Sequence, residues 1–491
     1  MLLKLSKTKP YRSVFLFAYA LLLSYTFIGL LGVANATEHA KSYPNTKKKP
    51  SFEDTVEYLA IHKTDTPSVP LNSLRYPYHP DLNRWNVEEP ESFTRGWDEI
   101  AQAIGTKGSS KRRLALAYTF SYFRHSIKNT KASIQYMMQT AEEKEIPIYI
   151  HLDGTAYWRN TGLWNWWNNV NDNEALLQND PGARYDPDNI NNVERYGWEM
   201  NKAVKIAWRN WGKQHRVEYR NGMSVPAPNL ASQAFREKNA KALGEILPVI
   251  MQWYNKLSSD KKYLLAGVVL GMELSVEMNA FYYRSVDGTI DGNAFWDKGD
   301  ENTYAAIDKA NNLKPNGVYT ARLGYAAAQT LGLQTKGLIT GKTIDLILND
   351  YIEFLVKEAI KSGFTPNKLI THAYPPPRPD TWYKSFNHME AGMPKVDGVV
   401  SGWTAPITEY DKGIDLSKLG GRPWAAIETH FWGILRMPKD TRVEYIYKVL
   451  PSRLDEIYSH GNCRHVNIKD WEFPLKQSEG LRNAIRATLS K

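Results

Sequence analysis

Residues 264–272 carry only aliphatic side chains, one methionine and two glycines, and a carboxylate, Glu273, follows directly. A strand that is apolar at successive rather than alternate positions is buried on both faces, as in a parallel sheet covered by helices. A carboxylate behind such a run fits the strand's C-terminal edge, where an α/β sheet opens into its binding crevice. On this strand alone, a glutamate paired with an arginine at the rim accounts for it equally well. Residues 422–432 repeat the pattern, with Trp424, Ala425, Ala426 and Ile427 leading to Glu428. Two carboxylates from separate strands of one sheet are what cleavage of a glycosidic bond requires. One protonates the leaving oxygen and the other attacks or stabilises the anomeric carbon.

From residue 113 the chain alternates strand-like and helix-like segments, the pattern of a parallel sheet with crossover helices. Strands are expected at 113–120, 147–152, 216–219, 264–274, 368–374, 397–404, 422–432 and 464–470. Helical periodicity is clearest over 232–257, where Leu243, Ile246, Leu247, Ile250 and Trp253 recur at helical spacing. Eight strands predict an α/β fold, a (β/α)8 TIM barrel over 113–491, with Glu273 and Glu428 at the ends of strands four and seven. Residues 51–112, rich in proline, read as an N-terminal extension packed on that barrel. Long loops are expected after strands two and four. The first carries Trp158, Trp164, Trp166 and Trp167 and would wall a cleft, since aromatic clusters on strand-to-helix loops are more often binding surface than core.

The first 36 residues combine Lys4, Lys7, Lys9 and Arg12 with an apolar run over 14–33 and the sequence Ala34, Asn35, Ala36. This is the layout of a secretory signal peptide cleaved after Ala36, with an uncleaved membrane anchor as the alternative. Residues 37–50 are polar and lysine-rich, as in a linker. The expected location is therefore secreted or periplasmic. The single cysteine, Cys463, rules out an intramolecular disulfide. The net charge of +10 owes four units to the signal segment, and the remainder forms no basic stripe of the kind nucleic-acid binding needs. Aromatic residues make up 12% of the chain, with 16 Trp and 29 Tyr, a supply of flat amphipathic rings that suits stacking on sugars.

With this layout the sequence resembles the clan of retaining (β/α)8-barrel glycoside hydrolases that includes β-galactosidases and cellulases. There the acid/base follows strand four and the nucleophile follows strand seven. The stretch Ala231, Ser232, Gln233, Ala234, Phe235, Arg236, Glu237, then Gly271, Met272, Glu273, is similar to the corresponding region of barrel β-galactosidases. Met272 departs from the asparagine the clan usually places before the acid/base. The resemblance implies Glu273 as general acid and base, Glu428 as nucleophile, and Trp471 as an aromatic floor after strand eight. By the same analogy His151, Asp153, Tyr374, Trp403, His430 and Trp432 would line the pocket.

Other motifs carry less. Residues 337–343 are one residue short of a phosphate-binding loop and read better as a helix start. Residues 287–298 imitate half of a calcium loop but place Lys298 where a bidentate glutamate is needed. His460, Cys463 and His465 match no standard zinc spacing. No metal and no cofactor are expected. The leading expectation is a secreted glycoside hydrolase acting by retention, with a carbohydrate as its partner. A non-catalytic carbohydrate-binding barrel, an inverting glycosidase, or Glu277 in place of Glu273 are the alternatives. The distance between the two carboxyl groups separates these: about 5–5.5 Å for retention and about 6.5–9.5 Å for inversion.

Overall fold

The structure is a computed structural model and describes residues 56–63, 90–123, 126–155, 158–163, 187–195, 197–200, 227–274, 276, 278–282, 318–374, 389–405, 414–435, 437–460, 462–469, 471 and 474–491. Its centre is a closed parallel barrel of eight strands. In chain order the barrel strands are β1 (Glu57–His62), β2 (Arg112–Ser121), β3 (Ile148–Asp153), β4 (Leu265–Leu274), then, after an antiparallel pair β5 (Met278–Tyr282) and β6 (Val318–Arg322), β7 (Leu369–Ala373), β8 (Ser401–Thr404), β9 (Trp424–Thr429) and β10 (Cys463–Ile468). β1 closes the ring between β10 and β2, with Leu59 opposite both Val466 and Leu114.

The expected TIM barrel is therefore present, with one correction to its membership. β1 comes from the segment read as an N-terminal extension, and the strand expected at 216–219 lies outside the described residues. β1 escapes a pattern search because the charged Glu57 opens a six-residue strand that is buried throughout. The structure neutralises that charge. The Arg112 guanidinium at the start of β2 meets Glu57 at 2.7 Å and Asp455 at 2.9 Å, and lies 3.9 Å over the Tyr458 ring. These contacts clamp the β1–β2 seam to the helix Leu450–Ser459 at the barrel's N-terminal face. Glu273 and Glu428 still stand on the fourth and seventh barrel strands, because β1 enters the count in place of the strand at 216–219.

Helices cover the outside. α1 (Pro90–Ile104), α2 (Ile127–Lys144), α3 (Gln233–Lys256) and α4 (Gly341–Lys361) are the long ones, and they bury one stripe each. In α3 the stripe is Phe235, Asn239, Ala242, Leu243, Ile246, Leu247 and Ile250, the spacing of an amphipathic helix. Thr340, whose hydroxyl accepts from the Thr343 amide at 3.1 Å, caps the start of α4, so residues 337–343 are a helix start. No helix among the described residues is long and apolar enough to cross a membrane.

The strand interior separates two cores. Outward-facing residues such as Leu114, Val268, Leu270 and Val466 pack with the helices. Inward-facing ones are small over much of the lower barrel: Ala60, Ala115, Ala117, Ala266 and Ala425, with Tyr58 and Tyr149 filling the space. The Tyr149 hydroxyl is hydrogen-bonded to His465 Nδ1, and the Tyr58 ring stacks on His465 at 5.6 Å. Burial pushes His465 down to about 3, so it is a neutral core residue. Gly402 has no room for a side chain, since a Cβ there would lie 2.2 Å from the Thr371 carbonyl oxygen on the neighbouring strand.

Candidate active site

At the C-terminal end of the barrel the inward alternation changes from apolar to polar, and all eight strands contribute. His62 comes from β1, Thr119 from β2, His151 and Asp153 from β3, Glu273 from β4, His372 from β7, Thr404 from β8, Glu428 from β9, and Lys469 from just past β10. A layer of polar groups at this face of a parallel barrel is where ligands bind and chemistry is done. Most of these side chains are buried, which a barrel tolerates only when polar atoms satisfy one another.

Glu273 owes its position to a bulge. Between β4 and β7 the register runs from Leu270 opposite Thr371 to Leu274 opposite Ala373, so β4 spends two residues more than its partner. Gly271 takes φ +80° and Glu273 itself takes φ +41°, a conformation that costs a residue with a Cβ about 1–2 kcal/mol. The result is a glutamate only 4% exposed, whose Oε1 accepts a hydrogen bond from Thr404 Oγ1 at 2.8 Å.

Glu428, 7% exposed, is held on both oxygens. Lys469 Nζ is 2.5 Å from Oε2, and His430 Nε2 is 2.9 Å from Oε1. His372 Nε2 stands 3.9 Å from Oε2. One oxygen of Glu273, one of Glu428 and a ring nitrogen of His372 all lie within 4.8 Å of one another. That spacing would admit a small cation, but the Lys469 ammonium already sits on Glu428, and a divalent ion would have to be placed beside it. The triangle reads as two carboxylates set by ion pair and hydrogen bond.

The remaining expected site residues divide. His151 is in the polar layer, with burial and the nearby Lys469 charge pushing it down to about 3. Asp153 stands next to it, but its oxygens accept from the Thr155 amide and hydroxyl at 2.8 and 2.9 Å and from Ser121 at 3.0 Å, which makes it a turn-former at the end of β3. His430 joins the site through Glu428. Tyr374 is buried just past β7.

The expectation that Trp403 and Trp158 line the pocket is corrected. Trp403 has no exposed surface and faces outward, since its neighbours Gly402 and Thr404 face in; it packs in the helix-facing core by Gly392. Trp158 is likewise fully buried and meets Phe235 edge-on at 6.1 Å. Trp471 is 1% exposed and belongs to the same core, so it offers solvent almost no ring face. Trp164, Trp166, Trp167, Glu277, the half calcium loop at 287–298 and the side chain of Trp432 lie outside the described residues.

Sequence reasoning missed His62, Thr119, His372, Thr404 and Lys469. The sequence carries a signal for them: along β10 and just past it, His465, Asn467 and Lys469 alternate with Val466 and Ile468, and on β7 His372 follows Ile370 by two. In a barrel whose outside is covered by helices, polar residues at period two point inward.

No family model matches the chain, and no curated protein matches it. Among solved structures it is similar to a GH5-4 broad-specificity endoglucanase from an uncultured bacterium, at 9% identity and TM-score 0.39 over 88% of this chain and 94% of that one. It is also similar to PbGH5A, a glycoside hydrolase family 5 enzyme from Prevotella bryantii B14, at 8% identity and TM-score 0.38 over 89% of this chain and 97% of that one. A β-glucosidase from Thermotoga maritima is a further neighbour, at 10% identity and TM-score 0.28 over 83% of this chain and 87% of that one.

Proposed function

We propose that this protein is a glycoside hydrolase that cleaves O-glycosidic bonds with retention, using Glu428 as nucleophile and Glu273 as general acid and then base. The observation that carries the reading is the carboxylate pair itself, with oxygens of Glu273 and Glu428 within 4.8 Å at the C-terminal end of the barrel. A close approach of this kind supports the double-displacement reading, in which the carboxyl groups stand about 5–5.5 Å apart, over inversion, which sets them about 6.5–9.5 Å apart to admit a water molecule. The two carboxylates have different partners. Glu428 lies against an ammonium and an imidazole, which favour the ionised form a nucleophile uses. Glu273 is held on Oε1 by the Thr404 hydroxyl, which fixes the carboxyl group beside Glu428.

In the proposed first step Glu428 attacks the anomeric carbon, and the glycosidic C–O bond breaks as Glu273 transfers its proton to the leaving oxygen. In the second, Glu273 takes a proton from water as that water displaces Glu428. The test is a panel of aryl glycosides and polysaccharides, followed by two substitutions on whichever substrate is cleaved. Glu428→Gly abolishes hydrolysis, and azide rescues it with inverted configuration. Glu273→Ala spares glycosides whose leaving group is already acidic. Rescue with inversion at Glu273→Ala and none at Glu428→Gly reverses the roles, and wild-type activity in both variants removes the site from this position. Export through a signal peptide cleaved after Ala36 is part of the same proposal; an exported protein whose mass retains Met1 rejects it.

A further inference from the structure

The buried histidines of the polar layer have hydrogen positions that the geometry settles. The Gly271 carbonyl oxygen lies 2.6 Å from His151 Nε2, and a carbonyl only accepts, so this nitrogen carries the hydrogen. The same N–H faces His372 Nδ1 at 3.3 Å. Two N–H groups cannot point at each other, so His372 Nδ1 is bare and its hydrogen is on Nε2. That N–H lies 3.0 Å from Thr404 Oγ1. The hydroxyl accepts it and spends its own hydrogen on Glu273 Oε1.

The chain also runs the other way. His151, held neutral by burial, presents a bare Nδ1 to Thr119 Oγ1 at 3.2 Å, so Thr119 donates there. Thr119 must then accept from His62 Nε2–H, 2.8 Å away. Burial holds His62 well below its ordinary value, and its Nδ1 has no partner among the described residues. This nitrogen is the blind end of the chain. The titratable and charged groups around these rings are Asp153 on β3, Glu273 on β4, Glu428 and His430 at β9, and Lys469 after β10.

We infer that His62, Thr119, His151, His372 and Thr404 form a one-way positioning relay, drawn from five strands, that ends on Glu273 and fixes its Oε1 as an acceptor. Apart from the His151 N–H, which the Gly271 carbonyl shares with His372 Nδ1, every donor in the relay points toward Glu273, and the Thr404 hydroxyl meets Oε1 as a donor. Oε2 is left as the oxygen that carries the acid's proton, and its O–H bond is the one that breaks as the leaving oxygen gains a hydrogen. The relay also resists rotation of the carboxyl group, which a general acid needs if its proton is to face the substrate. The catalytic half of this inference rests on the proposed role of Glu273; the direction of the relay does not.

The experiment reads both halves separately. In full-length protein labelled with 15N-histidine and assigned through single substitutions, NMR shows which ring nitrogen carries hydrogen. His62 and His151 are expected as neutral Nε2–H tautomers from about pH 5 to 8, and His372 with its hydrogen on Nε2 and none on Nδ1. A ring protonated on Nδ1, alone or doubly, at His151 or His372 overturns the relay. On a cleaved substrate, Thr404→Val is expected to lower kcat about tenfold with KM unchanged, while Thr404→Ser restores kcat. A Thr404→Val protein with wild-type kcat overturns the positioning role. If no glycoside on the panel is hydrolysed, the glycosidase reading fails while the ring nitrogens still decide the relay; a misdirected relay in an active enzyme leaves the carboxylate pair standing.

Discussion

Replacing Lys469 with Met tests the ion pair on which the proposed nucleophile depends. Lys469 and Glu428 meet at 2.5 Å with side chains 5% and 9% exposed, so both charges have left bulk water. Removing one partner of such a buried pair costs about 3–5 kcal/mol, because the other charge stays behind in a poor solvent. The compact unit Phe52–Lys491 unfolds with roughly 2.1 cal/mol/K per residue, or about 0.9 kcal/mol/K in all, so the loss lowers Tm by about 3–5 °C. Glu428→Gln, which strands the ammonium instead, should cost a similar amount. The double variant should be well above the stability that the two single losses would sum to, since neither charge is then buried without the other, and a coupling of about 2 kcal/mol or more is expected from the cycle. Urea denaturation of the four proteins measures it. A Lys469→Met protein within about 1 kcal/mol of wild type, or losses that simply add, would refute the reasoning that this pair is desolvated and coupled.

Other perturbations probe other parts of the barrel. Gly402→Ala should destabilise by more than about 3 kcal/mol in urea, because the atom 2.2 Å from the new Cβ is backbone and cannot turn aside. Trp403→Ala should cost about 3–5 kcal/mol while leaving KM unchanged, the signature of core rather than cleft. Thermal scans at falling pH should show stability lost below the unfolded histidine value of about 6.5 and down toward 3. His151 and His465 are depressed to about 3 and His62 also lies low, so across that window the unfolded chain binds more protons, at about 1.4 kcal/mol per pH unit for each ring. Glu194, raised to about 7 by burial, has the opposite sign: its contribution is complete below about 4.5 and is lost as pH rises to 7, which partly offsets the histidines in the shared range. A flat Tm between pH 6.5 and 4 would contradict the neutral buried rings.

What was legible in the sequence follows from how each strand is buried. β4 and β9 are covered on both faces, so their apolar runs stand out and a glutamate at the end of each is conspicuous. β1 is covered just as well, but its charge is cancelled by Arg112, 55 residues further along the chain, and no local pattern reports a partner at that distance. The same limit hid most of the site. Thr404 and His372 are ordinary residues on short strands until the barrel closes; Thr404 then reaches Glu273 from 131 positions away, with His372 beside them. Trp403 shows the converse error. Position along the strand places an aromatic residue at its end in the pocket, but the alternation with Gly402 and Thr404 decides which side of the sheet it occupies.

The bulge in β4 couples the local backbone to the long-range contacts of the site. A regular strand would present Glu273 with ordinary strand dihedrals and keep the Gly271 carbonyl in the ladder with β7. Two extra residues break that ladder, free the carbonyl for His151, and turn the backbone through φ +80° and +41°. The strain at Glu273 is therefore tied to the hydrogen bond that sets the direction of the histidine chain. One local irregularity both aims the carboxylate and orients the groups that hold it. Gly271 is the residue that permits this, because a Cβ there would meet Leu274 at 2.5 Å in a backbone conformation that side chains rarely adopt.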